Sequence, residues 1–290
     1  MDIVVTGGRG QSGRWILDRL AADHDVTCLD RALPEAGHPA VSYRALDLTD
    51  AGGVYDVLTA LDPDAVVHWA AIPVAGNHPG VDLYENNTLA AHNVLTAAGR
   101  VDARIVQASS DGAYGFFFSD DPVVPDRLPI PETHPLRPAD PYGLSKVVAE
   151  EIAATVARRD DVPVASLRPS WIQEPGDYPC RDDEYQSDLA AGAGNYWSYV
   201  DARDVADMVA AALTADIDGH EVFNCVAPDN ALGRPLHEAM REHYGRLPDD
   251  CAVAGDDAAY SVAKAADLLD WEPTRSWREA ADADVPPPEV

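Results

Sequence analysis

Tyr142 and Lys146 are the residues whose types and spacing most directly suggest chemistry. They stand four positions apart in a segment with helical patterning, so both side chains emerge on one helix face. An ammonium beside a phenol favours the phenolate and lowers its pKa toward the working range. Such a phenolate can take the proton of a substrate hydroxyl while hydride leaves the same carbon. The chain has only two lysines, Lys146 and Lys264, and one of them stands beside this tyrosine.

A second constellation supplies a home for the hydride acceptor. Thr6-Gly7-Gly8-Arg9-Gly10-Gln11-Ser12-Gly13 follows a short apolar run and opens a helical stretch. Glycines at 7, 10 and 13 let backbone and pyrophosphate approach, and the helix N-terminus contributes amide donors and a positive dipole end. Asp30 ends the next apolar run, where a carboxylate accepts hydrogen bonds from the adenosine ribose hydroxyls. A 2′-phosphate would meet like charge there, which favours NAD. Arg9 and Arg31 keep NADP open, since either guanidinium could pair with a phosphate. The positive ring of an oxidised nicotinamide would also favour the Tyr142 phenolate.

Positioning these groups requires a scaffold, and the hydrophobic pattern supplies one. Residues 2–6, 25–30, 41–46, 65–69, 103–109 and 163–168 read as buried strands, with helical stretches near 11–23, 50–60, 83–99 and 141–159. This alternation predicts an α/β fold, a doubly wound parallel sheet of the Rossmann type with helices on both faces. Ligands bind beyond the carboxyl ends of such strands. The predicted organisation is a dinucleotide-binding core over 1–170 and a small C-terminal substrate lobe over 171–281. Residues 199–226 return to the core, and 282–290 form a proline-rich flexible tail. The proline- and acid-rich stretch 116–140 reads as a surface loop or lid.

In this order the residues resemble the extended short-chain dehydrogenase/reductase superfamily, which contains the NAD-dependent epimerases and dehydratases. The resemblance runs through the glycine element, Asp47-Leu48, His68-Trp69-Ala70-Ala71, Asn87 to Asn93, and Ser109-Ser110-Asp111-Gly112-Ala113-Tyr114-Gly115. It continues through Tyr142-Gly143-Leu144-Ser145-Lys146, Arg168-Pro169-Ser170, Tyr199-Val200-Asp201-Ala202-Arg203-Asp204-Val205, and Lys264 to Pro273. It implies a catalytic set of Ser110, Tyr142 and Lys146, with the Ser110 hydroxyl on the reacting oxygen and Lys146 also on the nicotinamide ribose. The cofactor residues it implies are Gly7, Gly10, Gln11, Ser12, Gly13, Asp30, Arg31, Asp47, Leu48, Ala70, Ala71, Ile72, Asn87, Ser109, Tyr142, Lys146, Pro169 and Ser170. His68 reads as a packed residue of the family. The family also associates as homodimers or homotetramers through the helices near 83–99 and 141–159.

Three reactions share this core. Dehydratases of the superfamily carry an Asp-Glu pair after the catalytic hydroxyl, and here Gly112 follows Asp111. The segment from Arg168 to Pro175, followed closely by Asn195-Tyr196-Trp197-Ser198, is similar to the compact aldose and uronate dehydrogenases. These oxidise the anomeric hydroxyl of a free sugar to a lactone. The resemblance therefore implies a sugar 1-dehydrogenase acting on an aldose, uronate or sugar phosphate. Ser110, Asp111, Gly112, Trp171, Arg181 and Trp197 are the expected substrate residues, the tryptophans stacking on the sugar and Arg181 meeting an acid. A nucleotide-sugar 4-epimerase is the alternative, and a non-catalytic dinucleotide sensor a second one.

Composition narrows the partners. Fifty acids against 21 bases give a net charge of -29, a field that repels nucleic acid and anionic membranes. So acidic and lysine-poor a chain is also similar to halophile proteins, whose self-repulsion abundant cations screen. The sequence enters a strand directly and contains no run of about 18 apolar residues, so a cytoplasmic protein is expected. The four cysteines are widely spaced and read as reduced thiols. His237 and His243 are six apart rather than four, so no metal site is expected.

Overall fold

The computed structural model describes residues 1–73, 79–117 and 123–290. The first half alternates as expected: β1 (Asp2–Thr6), α1 (Gly13–Ala21), β2 (Asp25–Asp30), β3 (Val41–Ala45), α2 (Ala51–Leu61), β4 (Ala65–His68), α3 (Gly80–Arg100) and β5 (Arg104–Ala108). After the short β6 (Arg127–Leu128) come α4 (Pro141–Asp160) and β7 (Val164–Pro169). The remainder comprises β8 (Trp171–Gln173), α5 (Asp183–Ser187), α6 (Leu189–Ala193), β9 (Tyr199–Asp201), α7 (Ala202–Thr214) and β10 (His220–Cys225). The chain closes with α8 (Leu236–Tyr244), β11 (Asp250–Cys251), α9 (Ala263–Leu269) and α10 (Trp277–Ala280).

Seven strands form one parallel sheet in the order β10-β7-β5-β4-β1-β2-β3. Side-chain alternation divides the core between its two faces. Ile3, Val5, Cys28, Val67 and Val106 pack with α1 and α7, whereas Val4, Leu29, Val66 and Ile105 pack with residues of α2, α3 and α4. Strands buried on both faces read as continuous apolar runs, which made β1, β2, β4, β5 and β7 legible; β3, a largely exposed edge strand, was predicted as well. β10 was missed because its polar residues break the apolar run, and His220, Glu221 and Val222 are only half-buried.

A third core lies outside the sheet. Leu128, Ile130, Tyr196, Trp197, Tyr199, Met240 and Ala259 are fully buried there, around Tyr114, Tyr185 and Tyr260. This corrects the reading of 116–140 as a surface lid. β6 pairs with β11, Ile130 bridges to Tyr260, and Arg168 of β7 donates to the Glu132 carbonyl, so the described part of this stretch is anchored at several points. Residues 118–122 of that stretch lie outside the described residues. The closing residues carry no regular structure. Pro287 to Val290 face Arg9, Gly10, Gln11 and Arg14, and Val290 packs against the sheet core. Among the described residues no helix is long and apolar enough to cross a membrane.

Candidate active site

One cleft of about 1170 Å³ runs across the carboxyl ends of β1, β2, β4, β5 and β7. At its glycine-loop end the glycines do two different jobs. A Cβ on Gly7 would lie 2.5 Å from Ala70 Cα, and one on Gly13 would lie 2.2 Å from the Gly7 carbonyl oxygen. Those two are required by backbone meeting backbone within the protein itself. At Gly10 the nearest atom would be the Gly7 oxygen at 3.2 Å, so its backbone stays open to the cleft. Gly10, with the unpaired amides at the start of α1, is the part of the loop that fits a pyrophosphate. Gln11, Ser12 and Gly13 line the same end, and Trp69 fixes Ser12 through a 2.9 Å indole hydrogen bond.

Asp30, Arg31, Asp47, Leu48, Ala70, Ala71 and Ile72 also line this end. The Asp30 carboxylate accepts from the Arg31 amide at 2.7 Å. Arg31 pairs with Asn86, and Arg9 donates to the Ala32 carbonyl at 2.9 Å. Hydrogen bonds from Thr49 hold the Asp47 carboxyl below its ordinary range. Asn87 is a correction. Its side chain is buried beneath the lining, where it accepts from the Ile72 amide at 2.8 Å and donates to the Ile72 carbonyl. It holds the wall, and its neighbour Asn86 faces the cleft.

The candidate catalytic residues come from the turn after β5 and from α4. Asp140 caps α4 by accepting from the amides of Tyr142 and Gly143, and Pro141 occupies the first turn, so Tyr142 stands at a fixed point of the helix start. Lys146 and Glu150 follow at successive four-residue steps. The Lys146 ammonium donates to the Ala108 carbonyl at 2.8 Å and sits 5.5 Å from the Tyr142 ring centroid. Ser110 caps the turn after β5, accepting from the Gly112 amide at 3.0 Å. A Cβ on Gly112 would lie 3.3 Å from Ser110 Oγ and 3.6 Å from the Tyr142 ring, so the bare glycine leaves the two hydroxyl-bearing residues close together.

Burial governs the protonation of this cluster. It pushes the Tyr142 phenol up to about 12, with a hydrogen bond to Ser110 pulling down and Asp111 and Asp140 pushing up. The expected acidification by Lys146 is therefore not what the protein's own groups produce: desolvation dominates, and the groups that act on the phenol are Ser110, Asp111 and Asp140 rather than Lys146. Burial lowers Lys146 to about 8 against the attraction of Glu150. Asp111, 4% exposed, is raised by burial to about 7, while hydrogen bonds from Ser170 and Ser110 pull the other way. His68, hydrogen-bonded to Thr6 Oγ1, is lowered to about 3 by burial and by Lys146, so it is neutral near pH 7.

A buried network underpins the cluster. Arg168 reaches both Glu150 oxygens, at 2.8 and 2.7 Å, and the Tyr114 hydroxyl at 2.9 Å. Ser109 donates to Glu150 at 2.6 Å, and Tyr114 donates to Asn224 at 2.7 Å. α4, β5, β7 and β10 are thereby locked together directly beneath Ser110 and Lys146. Ser109, Pro169 and Ser170 line the cleft above it, with Ser170 donating to Asp111 at 2.7 Å.

The substrate end differs in two residues from expectation. Trp171 lines it, but Trp197 is fully buried, donating to the Leu189 carbonyl beneath the cleft floor. Its backbone and that of Tyr196 adopt left-handed conformations (φ 54° each), a turn that faces the rings inward and presents Asn195 to the cleft. Arg181 points away and pairs with Asp282. Phe117, Asp177, Tyr185, Gly192 and Asn195 take the places in the lining. Short helices and turns with little periodicity carry these residues, so local pattern could not single them out.

The chain is 32% identical over 177 residues to a UDP-glucose 4-epimerase of Streptococcus mutans, a match covering 58% of this chain and 51% of that protein. It is 30% identical over 194 residues to an L-arabinose 1-dehydrogenase (NAD(P)(+)) of Haloferax volcanii, covering 64% of this chain and 72% of that protein. The chain thus spans about half the length of several curated relatives it matches. A solved structure of a UDP-galactose 4-epimerase superposes with a TM-score of 0.70 at 26% identity, over 97% of this chain and 96% of that one. The model of the NAD dependent epimerase/dehydratase family matches residues 3–225, and the chain belongs to that family.

Proposed function

We propose that the protein is a sugar 1-dehydrogenase, oxidising the anomeric hydroxyl of a free sugar to a lactone with NAD. The observation that carries this reading is the convergence of Ser110, Tyr142 and Lys146 midway along a single cleft, between the glycine loop and a short aromatic end. Gly10, Gln11 and the start of α1 would hold the pyrophosphate, Asp30 the adenosine ribose and Lys146 the nicotinamide ribose. Bound NAD supplies the hydride acceptor, and its positive ring offsets part of the burial that keeps the phenol protonated. Ser110 orients the substrate hydroxyl, and Tyr142 takes its proton. Asp30 beside the ribose position favours NAD over NADP, because a 2′-phosphate would be repelled there.

The Haloferax relative, matched over 72% of its length, supports the dehydrogenase reading. The Streptococcus relative supports a second reading, a nucleotide-sugar 4-epimerase. Incubation with NAD and a panel of pentoses, hexoses, uronates, sugar phosphates and UDP-hexoses separates them. Stoichiometric NADH and lactone from a free sugar is the expected result. Interconversion of a UDP-hexose without net NADH would assign the epimerase.

A further inference from the structure

The charges along the cleft are distributed unevenly. Among the described residues, its cations are Arg9, Arg31 and Lys146. Arg9 and Arg31 are engaged with Ala32 and Asn86 at the adenosine end, and Lys146 is buried against the Ala108 carbonyl. Arg181 is turned outward onto Asp282. Neither 74–78 nor 118–122 contains an arginine or lysine. The substrate end instead carries the carboxyl groups of Asp111 and Asp177.

That end also holds a polar atom without a protein partner. Tyr185 is 8% exposed and packs on Trp171 with ring centroids 5.1 Å apart at 45°, yet among the described residues its buried hydroxyl makes no hydrogen bond. The hydroxyl is pressed close to Gly192, where a Cβ would come within 2.1 Å of it and 2.5 Å of Trp197 Cδ1. A glycine there is what allows the ring to reach the lining. Leaving a buried hydroxyl unpaired costs stability, and a ligand oxygen would offset the loss.

We propose that the substrate end is built for an uncharged sugar, with the Tyr185 hydroxyl as one of its hydrogen-bonding ligands and Asp177 facing the sugar's hydroxyls, and that it discriminates against uronates, sugar phosphates and nucleotide sugars. This rests on the dehydrogenase reading and narrows its substrate class. A carboxylate or phosphate would enter an end that offers two carboxyl groups and no uncommitted cation, and would lose its hydration without compensation. A neutral polyol offers the donors and acceptors that Tyr185 and Asp177 lack, and its apolar face suits Trp171.

The test uses the full chain with saturating NAD. Neutral aldoses are expected to exceed their matched uronates and phosphates in kcat/KM by about 100-fold or more, the scale on which a site rejects a mismatched polar group. Tyr185→Phe keeps the ring and its packing, so the variant should fold. It should raise KM for the neutral sugar about tenfold, leaving kcat and the KM for NAD within about twofold. Asp177→Arg should raise kcat/KM for the uronate by about tenfold. A wild-type preference for a uronate or phosphate, or an unchanged sugar KM in Tyr185→Phe, overturns the proposal while leaving the dehydrogenase reading intact. Oxidation of no free sugar, with UDP-hexose interconverted instead, overturns both.

Discussion

Asp111 shows how much the site costs the fold. Burial raises its carboxyl from 3.8 to about 7 in the folded chain, so the folded state binds more protons than the unfolded one between these values. Stability contributed through this residue is therefore fully present below about pH 4 and is lost as pH rises toward 7. Asp111→Asn should make the chain more stable than the parent at pH 8, the difference vanishing near pH 4. Urea unfolding at the two pH values checks this, and equal stability at pH 8 would contradict it. A carboxyl kept at such a cost beside Ser110 and Tyr142 is the pattern of a functional group rather than a packing one.

At the scale of elements, the positions of Ser110, Tyr142 and Lys146 depend on the buried contact between α4 and β7. Glu150 and Arg168 are 6% and 3% exposed and bind each other through two hydrogen bonds. Removing one partner strands the other charge, at a cost of about 3–5 kcal/mol. Glu150→Gln should show that loss in a denaturant titration, and Glu150→Gln with Arg168→Met should recover part of it. A single variant as stable as the parent would show that the pair does not brace the site. Local pattern made these elements legible: doubly buried strands are continuous apolar runs, and Tyr142 and Lys146 stand four residues apart, whereas Glu150 one turn further on was not singled out. The same logic hides Tyr185, Asn195 and Gly192. They lie on the short helices α5 and α6 and in the turn that follows, and no period records their meeting. Asn87, Trp197 and Arg181 were misread for a related reason: residue type indicates what a side chain can bind, but its direction follows from packing.

For the whole molecule the dominant quantity is charge. A net charge of -29 on 290 residues repels itself in the compact state, and added salt screens exposed charges within a Debye length of about 3 Å at 1 M. The melting temperature should rise steadily from low salt to molar KCl, and the gain should be similar in a salt of another monovalent cation. An unchanged melting temperature would remove the halophile-like reading of the composition.

The central claim is that the Tyr142 phenol takes the proton of the substrate hydroxyl. Its most direct test is kcat/KM for sugar oxidation as a function of pH, in the parent chain and in Tyr142→Phe. Burial holds the phenol well above neutrality, so the phenolate fraction, and with it kcat/KM, should climb about tenfold per pH unit on the alkaline side until the phenol titrates. The phenylalanine variant should bind NAD as the parent does, turn over about 10³-fold more slowly and lose that slope. A variant that keeps both the rate and the slope would contradict the account.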